Sequence, residues 1–252
     1  MANNTGEMPV MEHLEELRRV LIVSIISTTV MAVVAYFFCD RILAILLEPL
    51  TQLDQKVNFT GITEPIFVKI KLSLFTGFLA ALPVILWQVW SFIVPALKKN
   101  ERVYFTLFVF ISFISFFGGI AFGFLGVFRY GVVFLLKFAG PELFPMLTIS
   151  KYISFTISFL LPFGIIFEFP LTAFVLARLE LLSYDFLAKN RRYALLITVL
   201  LSAVITPTPD IITCLFVSGP MYLLFEASAL IVRVVERRLA RRKQREELAE
   251  IA

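Results

Sequence analysis

Four glutamates within or beside long apolar runs are the side chains of this sequence most able to do chemistry. Glu168, in IIFEFP, and Glu226, in LLFEAS, lie inside such runs, whereas Glu16, in HLEELRR, and Glu101, in KKNER, lie at the ends of runs. A carboxylate at such a position can pair with a guanidinium through two parallel hydrogen bonds. The four positions therefore indicate recognition of a cationic or polar partner.

Familiar catalytic and metal-binding patterns are missing from the sequence. His13 is the only histidine, and there is no HExxH, no GxSxG with a triad and no phosphate-binding loop. Cys39 and Cys214 stand far apart without a CxxC or Cys/His cluster, and we predict that both are small apolar packing residues. We expect no catalytic residues, no metal site, no cofactor and no enzymatic activity.

The composition predicts an all-α, polytopic integral membrane protein. Of the 252 residues, 59% are hydrophobic and only 17% are charged, and the mean hydropathy is +0.89. Soluble domains contain roughly 45–50% apolar residues. The net charge of +4 comes from short connecting stretches, which argues against nucleic-acid binding. We expect one membrane domain.

Long uncharged stretches predict six transmembrane helices, since a span needs about 20 residues to cross a bilayer core of about 30 Å. The predicted spans cover about 20–38, 72–97, 103–136, 152–177, 193–206 and 211–232. An amphipathic helix over 8–19 precedes them, and a basic tail over 233–252 follows. An even number of spans places both termini on one side. Most of the 23 Lys and Arg residues fall on that side, so both termini are predicted to be cytoplasmic.

The spans have unequal lengths, and the fifth ends early because Pro207 follows it. We predict a short fifth span and a curved wall of helices. The outer connection over 40–70, which includes Pro49, is expected to fold over the outer helix ends.

Pro162 and Pro170 should bend the fourth span around Glu168. Five glycines should allow close helix packing in the third span: Gly118, Gly119, Gly123, Gly126 and Gly131.

The two glutamates inside spans each have two interpretations. Glu168 lies about ten residues, or 15 Å, from Arg178, near the middle of the bilayer, where a charge costs about 2.5–3.5 kcal/mol or more. It is either a structural carboxyl group that helps helices pack or a polar docking point in a cavity. Glu226 either extends its carboxylate to the cytoplasmic interface or pairs with a neighbour.

The N-terminal glutamates lie on an amphipathic helix. Met11, Leu14, Leu17 and Leu21 recur at helical spacing, so the acidic and basic residues take the other positions. One interpretation is a solvated face on which Glu15 and Glu16 pair with the following arginines. The other is recognition of a cationic partner, together with Glu101.

Several motifs resemble those of the TatC family, the polytopic core of the twin-arginine protein translocase. The stretch His13–Arg18, HLEELR, is similar to the family's H-L-x-E-L-R motif. The stretch Pro83–Glu101, PVILWQVWSFIVPALKKNE, resembles its P-V-I-L-x-Q-x-W-x-F-x-x-P-A-L-Y-x-x-E segment. FEFP around Glu168 resembles F-E-x-P, and TPTPD over Thr206–Asp210 resembles the outer turn between the last two spans. The likeness extends over nearly the whole chain.

The resemblance implies a receptor of the bacterial cytoplasmic membrane that binds signal peptides with paired arginines. By motif position, Glu16 and Glu101 would pair with the two arginines, and Arg18 and Phe92 would shape the binding patch. Transport of folded proteins would be driven by the proton motive force without nucleotide hydrolysis, within an oligomeric complex embedded in the lipid bilayer. Guanidinium groups suit bidentate pairing with carboxylates, whereas the lysine ammonium does not.

The resemblance also implies short fifth and sixth spans, a concave, glove-like wall of helices, and roles for other residues. Glu168 and Glu226 would form intramembrane polar sites at which the single-span TatA and TatB partners dock. Pro49, Pro207 and Asp210 would shape the outer connections. The sequence departs from the family pattern at four positions: Lys98, Phe124, Arg129 and Cys214.

Two other functions are compatible with the residues alone. A proton-coupled small-solute transporter could use Glu168 near the bilayer midplane. The sequence lacks an evident repeat relating its halves, which such transporters usually have. A structural membrane scaffold would bind no peptide and carry no solute.

Overall fold

The protein is described here from a computed structural model, which covers residues 10–53, 55, 57–93, 105–138, 146–206 and 211–251. Over these ranges the chain is almost entirely helical, as predicted, with one isolated β-bridge between Asn58 and Thr148. The helices are α1 (Val10–Tyr36), α2 (Cys39–Thr51), α3 (Glu64–Ile93), α4 (Phe105–Ala121), a π-helical segment (Phe122–Phe128), α5 (Arg129–Phe138), α6 (Ile149–Phe167), α7 (Phe169–Arg178), α8 (Tyr184–Lys189), α9 (Arg191–Ile205) and α10 (Ile211–Ile251).

Helix lengths support the multi-pass architecture. Within the described residues, five stretches are long and apolar enough to cross a membrane: Leu14–Tyr36, Glu64–Ile93, Phe105–Phe134, Ile149–Arg178 and Cys214–Arg241. The predicted fifth span corresponds to α9, which has 15 residues and is about 22 Å long. It is short, as expected.

Helix α10 differs from the prediction for the C-terminal part of the chain. It has 41 residues and is about 60 Å long, so the helix that contains the predicted sixth span is not short. The basic stretch that follows this span continues the same helix as far as Ile251. No proline interrupts this stretch, and helix-favouring Arg, Glu, Leu and Ala residues dominate it.

The chain divides into two compact units. The first contains Met1–Ile45 and Pro65–Phe113, and the second contains Leu46–Glu64 and Ile114–Ala252. The single membrane domain, the concave wall and the exact membrane boundaries stay predictions.

In the first unit, α1 and α3 pack antiparallel through a very close approach. A Cβ atom added to Gly77 would meet the backbone of Ala32. A second contact shows the same direction of the two chain segments: Asp40 Oδ1 lies 2.8 Å from Nζ of Lys69. Asp40 comes eight residues after Ala32, and Lys69 comes eight residues before Gly77. Beside this ion pair, the buried Cys39 thiol donates a hydrogen bond to the carbonyl of Lys69. Gly77 therefore sets the distance between the two helices.

In the second unit, glycines of the third predicted span contact the fourth. A Cβ added to Gly119 would lie 2.5 Å from the carbonyl oxygen of Phe163, and one added to Gly123 would lie 3.0 Å from the ring of Phe163. At Gly118 and Gly131 an added Cβ would have no neighbour within 4 Å. The prediction of close packing is thus correct for Gly119 and Gly123 and wrong for Gly118 and Gly131, which lie on the other faces of the helix.

The connection between the first two predicted spans is partly helical, and its part Leu46–Glu64 belongs to the second unit, within which it makes polar contacts. The Tyr152 hydroxyl donates to the Leu46 carbonyl at 2.8 Å, and the Arg129 guanidinium donates to the Gln52 amide oxygen at 2.7 Å. Glu64 accepts hydrogen bonds from the backbone amides of Thr60 and Ser150 at 2.7 and 3.0 Å. This part of the connection therefore folds onto helix ends, as expected.

Pro49 does not lie in a loop, contrary to the prediction. It lies inside α2, near its C-terminal end, and is buried. Leu46 and Leu50, on either side of it, are also buried, because the apolar residues of this segment recur at helical spacing.

Substitution of Gly77 tests the close approach in the first unit. Gly77→Leu should lower the free energy of unfolding by about 1–3 kcal/mol, because the new side chain must displace the backbone of Ala32. Gly118→Leu is the matched control, since the space around its Cβ is open. Thermal unfolding in detergent measures both, and equal melting temperatures for the two variants would contradict the packing.

Candidate functional site

Glu16 lies on the inward-facing side of α1. Val20, one helical turn after Glu16, is buried. The Glu16 side chain is half-buried and its Oε2 atom is buried, whereas the neighbouring Glu15 is exposed. The structure thus separates two adjacent glutamates that the sequence pattern placed on one polar surface.

The apolar face expected for this helix points away from the protein. Met11, Leu14 and Leu21 are 76%, 55% and 54% exposed. Lipid is as apolar as a leucine side chain, so an exposed apolar stripe on a membrane helix needs no protein partner. Self-pairing of Glu16 with a following arginine and recognition of a cationic partner both stay predictions.

Phe92 lies at the same end of the first unit as Glu16. The α1 and α3 helices are antiparallel, and Ala32 lies beside Gly77. Glu16 comes sixteen residues before Ala32, and Ile93 comes sixteen residues after Gly77, so Glu16 and Ile93 lie at a similar level along the two helices. Phe92 is half-buried at that level. The pairing of the two helices thus brings together two of the predicted binding residues along the helix axis.

Arg18 is exposed and lies two residues after Glu16 on α1. Positions two apart point to nearly opposite sides of a helix, so Arg18 and Glu16 do not share a face. Arg18 can therefore influence the local potential more readily than it can complete a contact surface with Glu16.

Glu101, the second predicted arginine-binding carboxylate, lies outside the described residues, as does Lys98. The helices on either side of this connection are joined by a buried hydrogen bond. Trp90 Nε1 donates to Ser112 Oγ at 3.0 Å, and the Trp90 ring stacks on Phe108 with centroids 5.6 Å apart. Nothing in the sequence analysis identified Trp90 or Ser112; a serine in an apolar run, 22 residues after a tryptophan, was the available signal.

Glu168 lies at an interruption between α6 and α7. Pro170 has no amide hydrogen, so the normal hydrogen-bond ladder cannot continue through this point. Thr172 donates to the Glu168 carbonyl through its amide and hydroxyl at 2.9 and 3.0 Å, and Ser115 Oγ donates to the Phe167 carbonyl at 2.7 Å. The prediction for this point is a bend caused by Pro162 and Pro170; the structure has an interruption of the helix at Glu168, and Pro162 remains inside α6.

The Glu168 side chain is half-buried, and its Oε1 atom is buried. The next residue, Phe169, stacks on Phe225, which directly precedes Glu226, with ring centroids 6.3 Å apart. This stacking connects the chain segments that carry the two intramembrane glutamates.

Glu226 pairs with neighbours inside the protein. Its Oε2 accepts a hydrogen bond from Arg191 Nη2 at 3.0 Å, and its Oε1 accepts one from the Tyr222 hydroxyl at 2.9 Å. The Glu226 side chain is 27% exposed and that of Arg191 is 43% exposed. Because Arg191 begins α9, this ion pair holds the start of the short helix against α10.

The remaining predicted residues lie apart from these sites. Pro207 and Asp210 are outside the described residues. Arg129, which departs from the family pattern, contacts Gln52 and lies 3.8 Å from Glu48, and Cys214 Sγ lies 3.8 Å from the Thr206 hydroxyl. Phe124, another departure, stacks on Phe128. Across the described ranges, no group of three or more His, Cys, Asp or Glu residues could hold a metal ion.

A double-mutant cycle tests the Arg191–Glu226 pair. Each of Arg191→Gln and Glu226→Gln should destabilise the protein, and the double variant should be more stable than the sum of the two effects predicts, with a coupling of about 1 kcal/mol. Arg192→Gln, at the adjacent exposed position, is the control for loss of a positive charge. Additive effects on thermal unfolding would show that the pair contributes nothing.

Comparison with known proteins agrees with the motifs. The sequence model of a family described as Sec-independent protein translocase protein (TatC) matches residues 12–220. The chain is 43% identical over 229 residues to the TatC protein of Carboxydothermus hydrogenoformans, covering 91% of this chain and 94% of that protein. It is 36% identical over 235 residues to the TatC protein of Aquifex aeolicus, with 92% and 97% covered.

A solved structure gives the same result for the fold. The crystal structure of a twin-arginine translocase receptor, TatC, superposes with a TM-score of 0.81 at 34% identity, covering 88% of this chain and 99% of that one. The family match, the relatives and the shared fold all extend over most of the chain. The chain therefore belongs to the TatC family of Sec-independent protein translocase proteins.

Proposed function

We propose that this protein is the receptor subunit of a twin-arginine translocase and binds signal peptides that carry paired arginines. The observation that carries this proposal is the position of Glu16 on the inward-facing side of α1, at the end where Phe92 lies on α3. A carboxylate kept on the protein side of a membrane helix is available to a peptide that enters from the helix end.

The chemistry of this position fits arginine better than lysine. Two carboxylate oxygens match the parallel N–H groups of a guanidinium, and a partly dry setting strengthens the pair. A lysine ammonium offers a single point charge and is more strongly hydrated. In the proposal Glu16 and Glu101 each receive one arginine, Phe92 contacts apolar parts of the peptide, and Arg18 adjusts the potential.

Peptide binding tests the role of Glu16. Purified protein in detergent should bind a fluorescent Arg-Arg signal peptide, and Glu16→Gln should weaken binding by about ten- to a hundredfold, as expected for a hydrogen-bonded charge pair of about 1.5–3 kcal/mol. Glu15→Gln is the matched control, since Glu15 is exposed on the same helix turn. Fluorescence anisotropy at low and high salt measures the affinities.

Glu101→Gln should cause a loss of similar size, and a Lys-Lys peptide should bind weakly to the unmodified protein. High salt should weaken the Arg-Arg complex because the contact is ionic. Equal affinities for the Glu16→Gln and Glu15→Gln variants would refute the assignment of Glu16.

The family resemblance implies that both intramembrane glutamates contact the single-span TatA and TatB subunits. Glu226 already receives two hydrogen bonds within the protein, so we assign it to holding α9 in place and assign docking to the region of Glu168. The apolar side chains of α9, including Leu196, Leu200 and Val204, are exposed at 56%, 58% and 79%. They offer a lipid-like surface for a partner helix. The proton motive force would drive transport of folded cargo.

The proposed location is the bacterial cytoplasmic membrane, with both termini in the cytoplasm. In intact cells, a membrane-impermeant maleimide should not label a cysteine added after Ala252, but should label it after the membrane is opened. The excess of Lys and Arg near both termini supports this orientation. Labelling in intact cells would reverse the proposed topology.

The alternative of solute transport through Glu168 is not supported by the family assignment.

A further inference from the structure

Trp90 is the last buried residue of α3 and precedes Phe92 by two positions. Its indole N–H donates to Ser112 Oγ on α4 at 3.0 Å. Both side chains are almost fully enclosed, since Trp90 is 4% exposed and Ser112 is 1% exposed. This hydrogen bond therefore joins the last turn of α3 to α4 in the interior of the first unit.

Aromatic rings surround this hydrogen bond. The Trp90 ring stacks on Phe108 with centroids 5.6 Å apart, and Trp87, one turn earlier, packs edge-on against Phe105 at 4.6 Å. Apolar packing is not directional and tolerates small rotations, whereas a hydrogen bond weakens steeply when its angle changes. Of these three contacts, the one with Ser112 therefore restricts the rotation of the last turn of α3 most.

The last turn of α3 also carries Phe92, which is half-buried at the level of Glu16. Gly77 lies fifteen residues earlier, or about 22 Å along the helix, so its close contact with Ala32 does not orient this turn. A buried indole N–H that loses its acceptor is costly, and the side chain has to turn toward another one. Loss of the Ser112 hydroxyl should therefore shift the turn on which Phe92 lies.

We propose that Trp90 and Ser112 are positioning residues for signal-peptide binding, because their hydrogen bond holds the last turn of α3 in the orientation in which Phe92 contacts the peptide. This inference rests on the proposed function, in which Phe92 and Glu16 belong to one site. Trp90 and Ser112 do not touch the peptide in this role. They act through Phe92, so their loss weakens peptide binding only while Phe92 is present.

Binding of the fluorescent Arg-Arg peptide to the full chain in detergent tests this role, at a temperature at which every variant is folded. Ser112→Ala should weaken binding about three- to tenfold, because one hydrogen bond changes the population of the binding-competent arrangement by about that factor. Ser228→Ala is the matched control, since it removes the hydroxyl of a fully buried serine in the second unit. It should leave the peptide affinity unchanged.

Double variants separate positioning from a general effect on stability. In a Phe92→Ala background, Ser112→Ala should cause no further loss of affinity, whereas in a Glu16→Gln background it should cause its full loss. Trp90→Phe keeps a ring beside Phe108 but removes the donor, so it should weaken binding as much as Ser112→Ala does. The variant with both changes should bind no more weakly than either single one. Melting temperatures identify any variant that fails to fold, and Trp90→Phe decides the question if Ser112→Ala is that variant.

The outcomes distinguish this inference from the proposed function. If the unmodified protein binds the Arg-Arg peptide and Glu16→Gln weakens binding, but Ser112→Ala and Trp90→Phe do not, the positioning role is refuted and the proposed function stands. An equal loss in Ser228→Ala, or the same loss from Ser112→Ala with and without Phe92, would also refute the positioning role. Failure of the unmodified protein to bind the peptide would refute the proposed function and this inference with it.

Discussion

Polar groups inside the apolar helices must find their partners within the protein, because hydrocarbon offers no hydrogen bonds. The interruption at Glu168 is possible because Ser115 and Thr172 donate to the carbonyl groups at this point. The same requirement explains the buried hydrogen bond from Trp90 to Ser112 and the enclosure of the Glu226 carboxylate by Arg191 and Tyr222. The contacts of Ser115, Trp90 and Arg191 also join two helices, so they satisfy polar groups and fix the packing at the same time.

The same medium changes the meaning of an amphipathic helix. In water the apolar stripe of a helix is the face that packs, whereas in a membrane the stripe can face lipid at no cost. On α1 the stripe through Leu14 and Leu21 is exposed, whereas Val20, one turn after the half-buried Glu16, is buried. Close contact at Gly77 then brings α3 alongside, with Phe92 at the level of Glu16. This geometry is the physical basis for assigning a receptor role to Glu16.

In the second unit, α9 and α10 differ in length and in their surroundings. Helix α9 is too short to cross a bilayer core of about 30 Å unaided, and the Arg191–Glu226 pair holds its first residue against α10. Helix α10 continues beyond its apolar stretch as far as Ile251. The unit thus has an exposed apolar surface on α9, which we propose as the surface for partner helices.

The sequence by itself determined the all-α, multi-pass architecture, the short α9 and the family. These depend on local composition, on proline chemistry and on motifs read along the chain. Only the tertiary structure decided which face of α1 turns inward, which glycines make close contacts, that Pro49 lies in a helix, and that Glu226 pairs with Arg191. The reason is that lipid and protein interior are equally apolar, so periodicity cannot tell one from the other. Partners such as Arg191 and Glu226, 35 residues apart, meet only when helices pack.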